Sequence, residues 1–244
     1  MQLNQQHPEK IIREAGVEAY QVQEIFHTIQ GEGPFAGRPA VFVRLTGCNL
    51  QCPLCDTDYT SRREPMDTMS IVEAVMGKHE GNPCRLVVIT GGEPFRQPIF
   101  ALIRYLIANG YVVQVETNGT ARPDRTPGQY DQFLQWVRTE RLVVVCSPKT
   151  GKVQPTLQPL IGAYKYVLAW GDARKDGLPT RALEHPCSPY LARPHAGFTG
   201  KVYLQPVDVQ DPEENAQHMT YTAEMCMTHG YTLCLQMHKI VNLP

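Results

Sequence analysis

Ala40-Val41-Phe42-Val43-Arg44-Leu45-Thr46-Gly47-Cys48-Asn49-Leu50-Gln51-Cys52-Pro53-Leu54-Cys55 joins an apolar, strand-like run to a loop carrying three thiols in eight residues, spaced C-x3-C-x2-C. Such a loop can wrap a small inorganic core, since iron–sulfur clusters are held by Cys thiolates and a cubane usually takes four. Three local thiols with no evident fourth leave one iron open to another ligand. Two other readings compete. A disulfide framework belongs to short secreted chains, whereas this chain has 244 residues and a polar start, Met1-Gln2-Leu3-Asn4-Gln5-Gln6-His7, without the apolar core of a secretory signal. A structural zinc site asks for four ligands, commonly as two separated pairs, and the other cysteines (Cys84, Cys146, Cys187, Cys226 and Cys234) are scattered singly. Cys84, Cys146 and Cys234 sit beside or inside apolar runs, where a free Cys serves as a small hydrophobe.

Working outward, the loop continues as Asp56-Thr57-Asp58, whose oxygens suit either Mg²⁺ or a turn. Upstream, Gln21 to Ile29 alternates as a strand does and runs into Gln30-Gly31-Glu32-Gly33-Pro34, a plain turn or a close backbone approach to a ligand. Residues 1–19 read as an irregular lead-in with one helical turn around 9–15. Downstream, Ser70 and Glu73 fit a capping box opening a helix. Apolar strands then end one after another in Thr90-Gly91-Gly92-Glu93-Pro94, Thr117-Asn118-Gly119 and Ser147-Pro148-Lys149, with helices expected over 98–109 and 130–138 between them. Further strands are expected at 164–169, 201–205 and 231–236, with a long Pro- and Gly-rich loop over 171–200. A last helix runs from an Asp211 cap, with Pro212 first and Glu214 as reciprocal capping residue, to Gly230.

This strand–loop–helix alternation predicts an α/β fold: a parallel sheet closing partly into a barrel, with its chemistry at the strand C-terminal ends. We divide the chain into an N-terminal extension, 1–20, and one domain, 21–244. Lys plus Arg (23) and Asp plus Glu (24) nearly cancel to a net charge of −1, and no basic run tracks a phosphate backbone, so nucleic acid is not an expected partner. No apolar run approaches a membrane span, and a cytoplasmic location is expected. At the second strand end, the Gly91-Gly92 backbone and the Glu93 carboxylate could accept from the amine of a methionine-type ligand, although a strand-to-helix turn with Pro94 explains the same residues. Arg44, on the strand that feeds the cysteine loop, could neutralise a substrate carboxylate with its planar fork or simply pair locally.

The C-x3-C-x2-C order is similar to that of the radical S-adenosylmethionine (SAM) superfamily. With Phe26-His27-Thr28-Ile29-Gln30-Gly31-Glu32-Gly33, Thr90-Gly91-Gly92-Glu93-Pro94, Glu116-Thr117-Asn118-Gly119, Ser147-Pro148-Lys149 and the tail from Gln236 to Pro244, the chain from about Glu24 onward resembles the 7-carboxy-7-deazaguanine synthase family of queuosine-precursor biosynthesis. The resemblance implies an incomplete TIM-like barrel of the radical SAM type and a homodimer. It implies ring contraction of 6-carboxy-5,6,7,8-tetrahydropterin to 7-carboxy-7-deazaguanine with loss of ammonia. It also implies a [4Fe-4S] cluster on Cys48, Cys52 and Cys55, Mg²⁺ on Thr57, and an electron donor such as flavodoxin or ferredoxin. SAM would be lined by Gly92, Ser147, Pro148, Lys149, Gln205, Pro206, Val207 and Asp208. The pterin would be lined by Ile29, Gln30, Gly31, Arg44, Thr90 and Pro244, with Glu32 and His238 as further polar contacts. The tail departs from the family pattern where it reads Met237 and Ile240, positions at which the family more often has Thr and Tyr. A glycyl-radical activase and a zinc-stabilised binding module are the rival readings. The first needs no Gln-Gly-Glu-Gly entry, and the second predicts zinc without SAM cleavage.

Overall fold

Apolar residues at every second position decide the sheet. In β4 (Leu86–Gly91) and β5 (Val112–Thr117), Val87, Ile89, Val113 and Val115 are fully buried in the main core. Alternation turns Thr90, Gln114 and Glu116 to the opposite face. The computed structural model describes residues 3–183 and 190–243. The remaining strands among them are β1 (Tyr20–Ile29), β2 (Pro39–Leu45), β3 (Glu64–Met66), β6 (Leu142–Cys146), β7 (Ile161–Leu168), β8 (Lys201–Pro206) and β9 (Thr232–Leu233). They form one sheet in the order β3-β1-β2-β4-β5-β6-β7-β8-β9. β1 pairs antiparallel with β2 and β3, and every other pairing is parallel.

The helices cover one face. α1 (Thr68–Lys78) packs on β1 and β2, α2 (Phe100–Ala108) on β5, α3 (Gln129–Arg138) on β6 and α4 (Pro212–His229) on β8. Their apolar stripes, including Ile71, Val75, Leu102, Leu106, Phe133 and Trp136, join the same core as Tyr164, Tyr166 and Leu168 of β7. The sheet does not close, because β3 and β9 remain at its two edges. The result is the partial TIM-like barrel expected from the alternation, with an uncovered inner face. Because β2 and β4 to β8 run parallel, their C-terminal ends make one rim, and the loops after Leu45, Gly91, Thr117, Cys146 and Pro206 all leave from it.

Several local expectations shift. α1 starts earlier than the Ser70–Glu73 box suggests, since Asp67 accepts from the Ser70 backbone N–H and takes the cap itself. β3 is an edge strand containing Pro65, which spends no ladder donor there. β9 is only two residues long, and 234–236, expected to continue the strand, instead form an irregular link to α5 (Met237–Ile240). No helical turn forms around 9–15, because this stretch bonds to other parts of the chain instead of to itself. α4 begins and ends where expected, with Asp211 accepting from the Glu213 and Glu214 N–H groups and Gly230 at φ +73°, but the Glu214 carboxylate, expected to cap reciprocally, faces His218 instead. At the far side of the first turn, Glu214 lies 3.6 Å from His218.

Candidate active site

The rim opens into a cavity of about 310 Å³ on the inner face, within the range of small-ligand sites. Among the residues singled out from sequence, Ile29, Gln30, Glu32, Arg44, Cys55, Thr57, Thr90, Gly92, Ser147, Lys149, Gln205, Val207, Asp208 and His238 line it. Cys48 and Cys52 are buried in the loop behind Cys55. Gly31, Pro148 and Pro206 belong to the same turns without facing the cavity, and Pro244 lies outside the described residues.

The cysteine loop is seated by the turn after β4. Gly92 and Glu93 donate backbone N–H bonds to Leu45 O and Gly47 O, at 3.4 and 3.0 Å. A Cβ on Gly91, whose φ is +129°, would stand 2.0 Å from Leu45 O, and one on Gly92 would stand 2.3 Å from Gly47 O. The two glycines therefore permit backbone to pack on backbone. Glu93 corrects the sequence reading, since its side chain is fully buried and is not among the residues that line the cavity. It accepts from Phe95 N–H, Asn118 N–H and the Thr117 hydroxyl. Burial pushes its pKa up to about 7 against those donors. It is a brace between two strand-end turns, not a ligand for an amine.

The donor set of the loop fits an anionic thiolate cluster. Leu50 N–H lies 3.4 Å and Asn118 Nδ2 3.8 Å from Cys48 Sγ, the N–H···S contacts that tune such centres. The three thiols sense one another. Burial, helped by Glu93, Cys52 and Cys55, pushes Cys48 up to about 12, so metal binding there must displace protons. Lys149 donates to Ser147 O and Oγ at 3.1 and 2.6 Å, and its ammonium lies within electrostatic reach of Cys52 and Cys55. Burial lowers its pKa while those two sulfurs oppose the shift. Among the described residues no three His, Cys, Asp or Glu side chains close on a point that would hold one ion.

The inner wall is charged. Lys165, 12% exposed, pairs with Glu32, also 12% exposed. Burial works against both charges, yet Lys165 holds the Glu32 carboxyl below its ordinary range, and Glu32 with Glu116 holds the ammonium above its own. Glu116 accepts from Gln30 Nε2 at 3.1 Å, Gln114 Nε2 at 2.9 Å and Thr90 Oγ1 at 3.2 Å. Arg44 Nη1 pairs with Glu24 at 2.5 Å, its guanidinium lies 5.2 Å from the Phe26 ring centre, and its buried Nε has no partner. Lys165 and Glu116 were not singled out as site residues from the sequence. The signal was present: each is the one charged residue of its strand, at an inner-face position.

The tail lies over the mouth. Met237 N–H donates to Gly31 O at 3.2 Å, Gln236 Nε2 to Glu32 at 2.9 Å, and Lys239 Nζ to Asp208 at 2.7 Å. A Cβ on Gly31 would fall 2.1 Å from His238 Nδ1, so this glycine makes room for the tail. The Lys239 bond, foremost, brings Asp208 down to about 2.

A model of the radical SAM superfamily matches residues 42–135. The chain is 40% identical over 235 residues to the 7-carboxy-7-deazaguanine synthase of Rhodospirillum rubrum, covering 93% of each chain. It is 32% identical to that of Rickettsia prowazekii, over 91% of this chain and 88% of the relative. The crystal structure of QueE from Escherichia coli superposes with a TM-score of 0.64 over 94% of this chain and 99% of that one, at 23% identity, a likeness of fold. Cysteine loop, rim and full-length relatives agree: this chain belongs to the 7-carboxy-7-deazaguanine synthase family of radical SAM enzymes.

Proposed function

We propose that the chain converts 6-carboxy-5,6,7,8-tetrahydropterin to 7-carboxy-7-deazaguanine with loss of ammonia, in the pathway to queuosine. The observation that carries this reading is the shared rim: Cys55 and Thr57 open onto the same cavity as Arg44, Thr90 and Lys165. Cys48, Cys52 and Cys55 would hold a [4Fe-4S] cluster whose open iron takes SAM. When bound, that pair supplies one-electron cleavage of a sulfonium and hydrogen-atom abstraction from the substrate.

The chain's own part is binding, orientation and exclusion of water. Gly92, Ser147-Pro148-Lys149 and Gln205-Pro206-Val207-Asp208 border the cysteine loop and would line SAM, with the Lys149 ammonium available to a carboxylate. Arg44 would bind the pterin carboxylate, its unpartnered Nε being a donor already stripped of water. Glu116 fixes Thr90 and Gln30 as the opposite wall. Ile29, Gly31, Glu32, His238 and Pro244 complete the pterin site in this reading. Thr57 would ligate a Mg²⁺ that neutralises the substrate carboxylate. A cytoplasmic homodimer drawing electrons from flavodoxin or ferredoxin completes the proposal; no described helix is long and apolar enough to cross a membrane.

The test is anaerobic reconstitution with iron and sulfide, then incubation with SAM, reductant and the carboxy-tetrahydropterin, with mass spectrometry of the products. The deazaguanine and one ammonia per turnover are expected. SAM cleavage without the deazaguanine would overturn the substrate assignment.

A further inference from the structure

We infer that residues 4–9, outside the strands and helices of the barrel, are a positioning strap for the cysteine loop, with Asn4 and Gln6 as its working side chains. This rests on the reading that the loop holds a cluster. The loop from Gly47 to Tyr59 contains no strand or helix, so its backbone polar groups need partners from elsewhere. The strap supplies them. Asn4 N–H donates to Pro53 O at 2.9 Å and Asn4 Nδ2 to Cys52 O at 3.1 Å. Gln6 Nε2 donates to Thr57 O at 2.9 Å, while its Oε1 accepts from Tyr59 N–H at 2.7 Å and Thr60 Oγ1 at 3.0 Å. Glu9 N–H donates to Cys48 O at 2.7 Å.

Two cysteine carbonyls and both flanks of the third thiol are thus held by one short segment. The strap is anchored behind the loop as well. Glu9 pairs with Arg96 at 3.3 Å, and that buried guanidinium also donates to Thr46 O at 3.1 Å, directly before the loop. Ile12 N–H donates to Arg96 O at 2.8 Å. Residues that hold a cluster's ligands in place govern retention and exposure of the cluster, and exposure sets its potential. With the strap loosened, water reaches the centre and stabilises the extra negative charge of the reduced state.

The experiment compares the full chain with Asn4→Ala/Gln6→Ala and, as control, Gln5→Ala/His7→Ala, whose parent side chains are exposed in the same segment. Each is reconstituted anaerobically, and three quantities are read: iron per chain, the rate of cluster bleaching in air, and the midpoint potential. The strap variant is expected to bleach at least threefold faster and to shift to a less negative potential, with the control unchanged. Gln6→Ala alone keeps the test usable should the double variant fold poorly, and it is expected to move the same way. Bleaching and potential equal to the parent's, with the parent holding its cluster, would overturn the inference alone. A parent chain that takes up no iron–sulfur cluster would overturn the functional reading beneath it.

Discussion

Lys165 enters the inner wall from β7 between two carboxylates, Glu32 and Glu116, where little water can share its charge. Replacing it by Met leaves Glu32 buried without its partner. Breaking one side of a buried pair costs about 3–5 kcal/mol, so urea denaturation of Lys165→Met should show a loss of that order. Lys165→Met/Glu32→Gln should recover most of it; additive losses would contradict the pairing. Arg44 is held by Glu24 and Phe26 in a planar fork that Lys cannot reproduce. Arg44→Lys is expected to raise the pterin KM roughly tenfold, with SAM binding unchanged in equilibrium dialysis. Glu93 gives a pH signature. Its folded pKa is raised from 4.5 to about 7 by burial. Between those values the unfolded chain is ionised there while the folded chain keeps its proton, so stability falls as pH rises through the window and levels off above it. Unfolding free energies from urea denaturation at about pH 5 and about pH 8 should differ more for the parent than for Glu93→Gln, by on the order of 2–3 kcal/mol.

At the scale of elements, the turn after β4 and the turn that starts the cysteine loop form one unit of backbone packed on backbone. Gly91→Ala has no room for its methyl and adopts a φ that L residues avoid, so the expected outcome is loss of iron binding, read by iron analysis after reconstitution. Normal iron content would show that the turn yields. The sequence announced these elements because each carries its own marks: period-2 apolar runs, an Asp-Pro helix start, a Gly stop. What it did not announce was partly a choice between neighbouring caps and otherwise non-local. The Asp67 cap lies one short turn ahead of an equally plausible Ser70. β3 has no apolar pattern of its own and exists only because β1 offers an edge. The stretch at 9–15 gives up a helical turn for partners near 48 and 96 in sequence.

For the molecule as a whole, the parallel order of β2 and β4 to β8 turns scattered motifs into a single rim, and this is why strand ends read one at a time pointed to one place. The cysteine loop was legible because sulfur chemistry dictates both residue type and spacing. Glu116 and Lys165 were harder to see, because a charge in an apolar strand acquires meaning only once the inner face is known to be uncovered by helices. Glu93 was misread for the complementary reason: a conspicuous carboxylate at a strand end is spent on bracing two turns. Function therefore rests on whether three thiolates and one open iron share that rim. Low-temperature EPR of the anaerobically reconstituted, reduced chain, with and without SAM, tests this most directly. We predict a [4Fe-4S]⁺ signal that changes shape when SAM is added and disappears in Cys48→Ala, Cys52→Ala and Cys55→Ala. A signal indifferent to SAM, or none in the parent chain, would contradict the account.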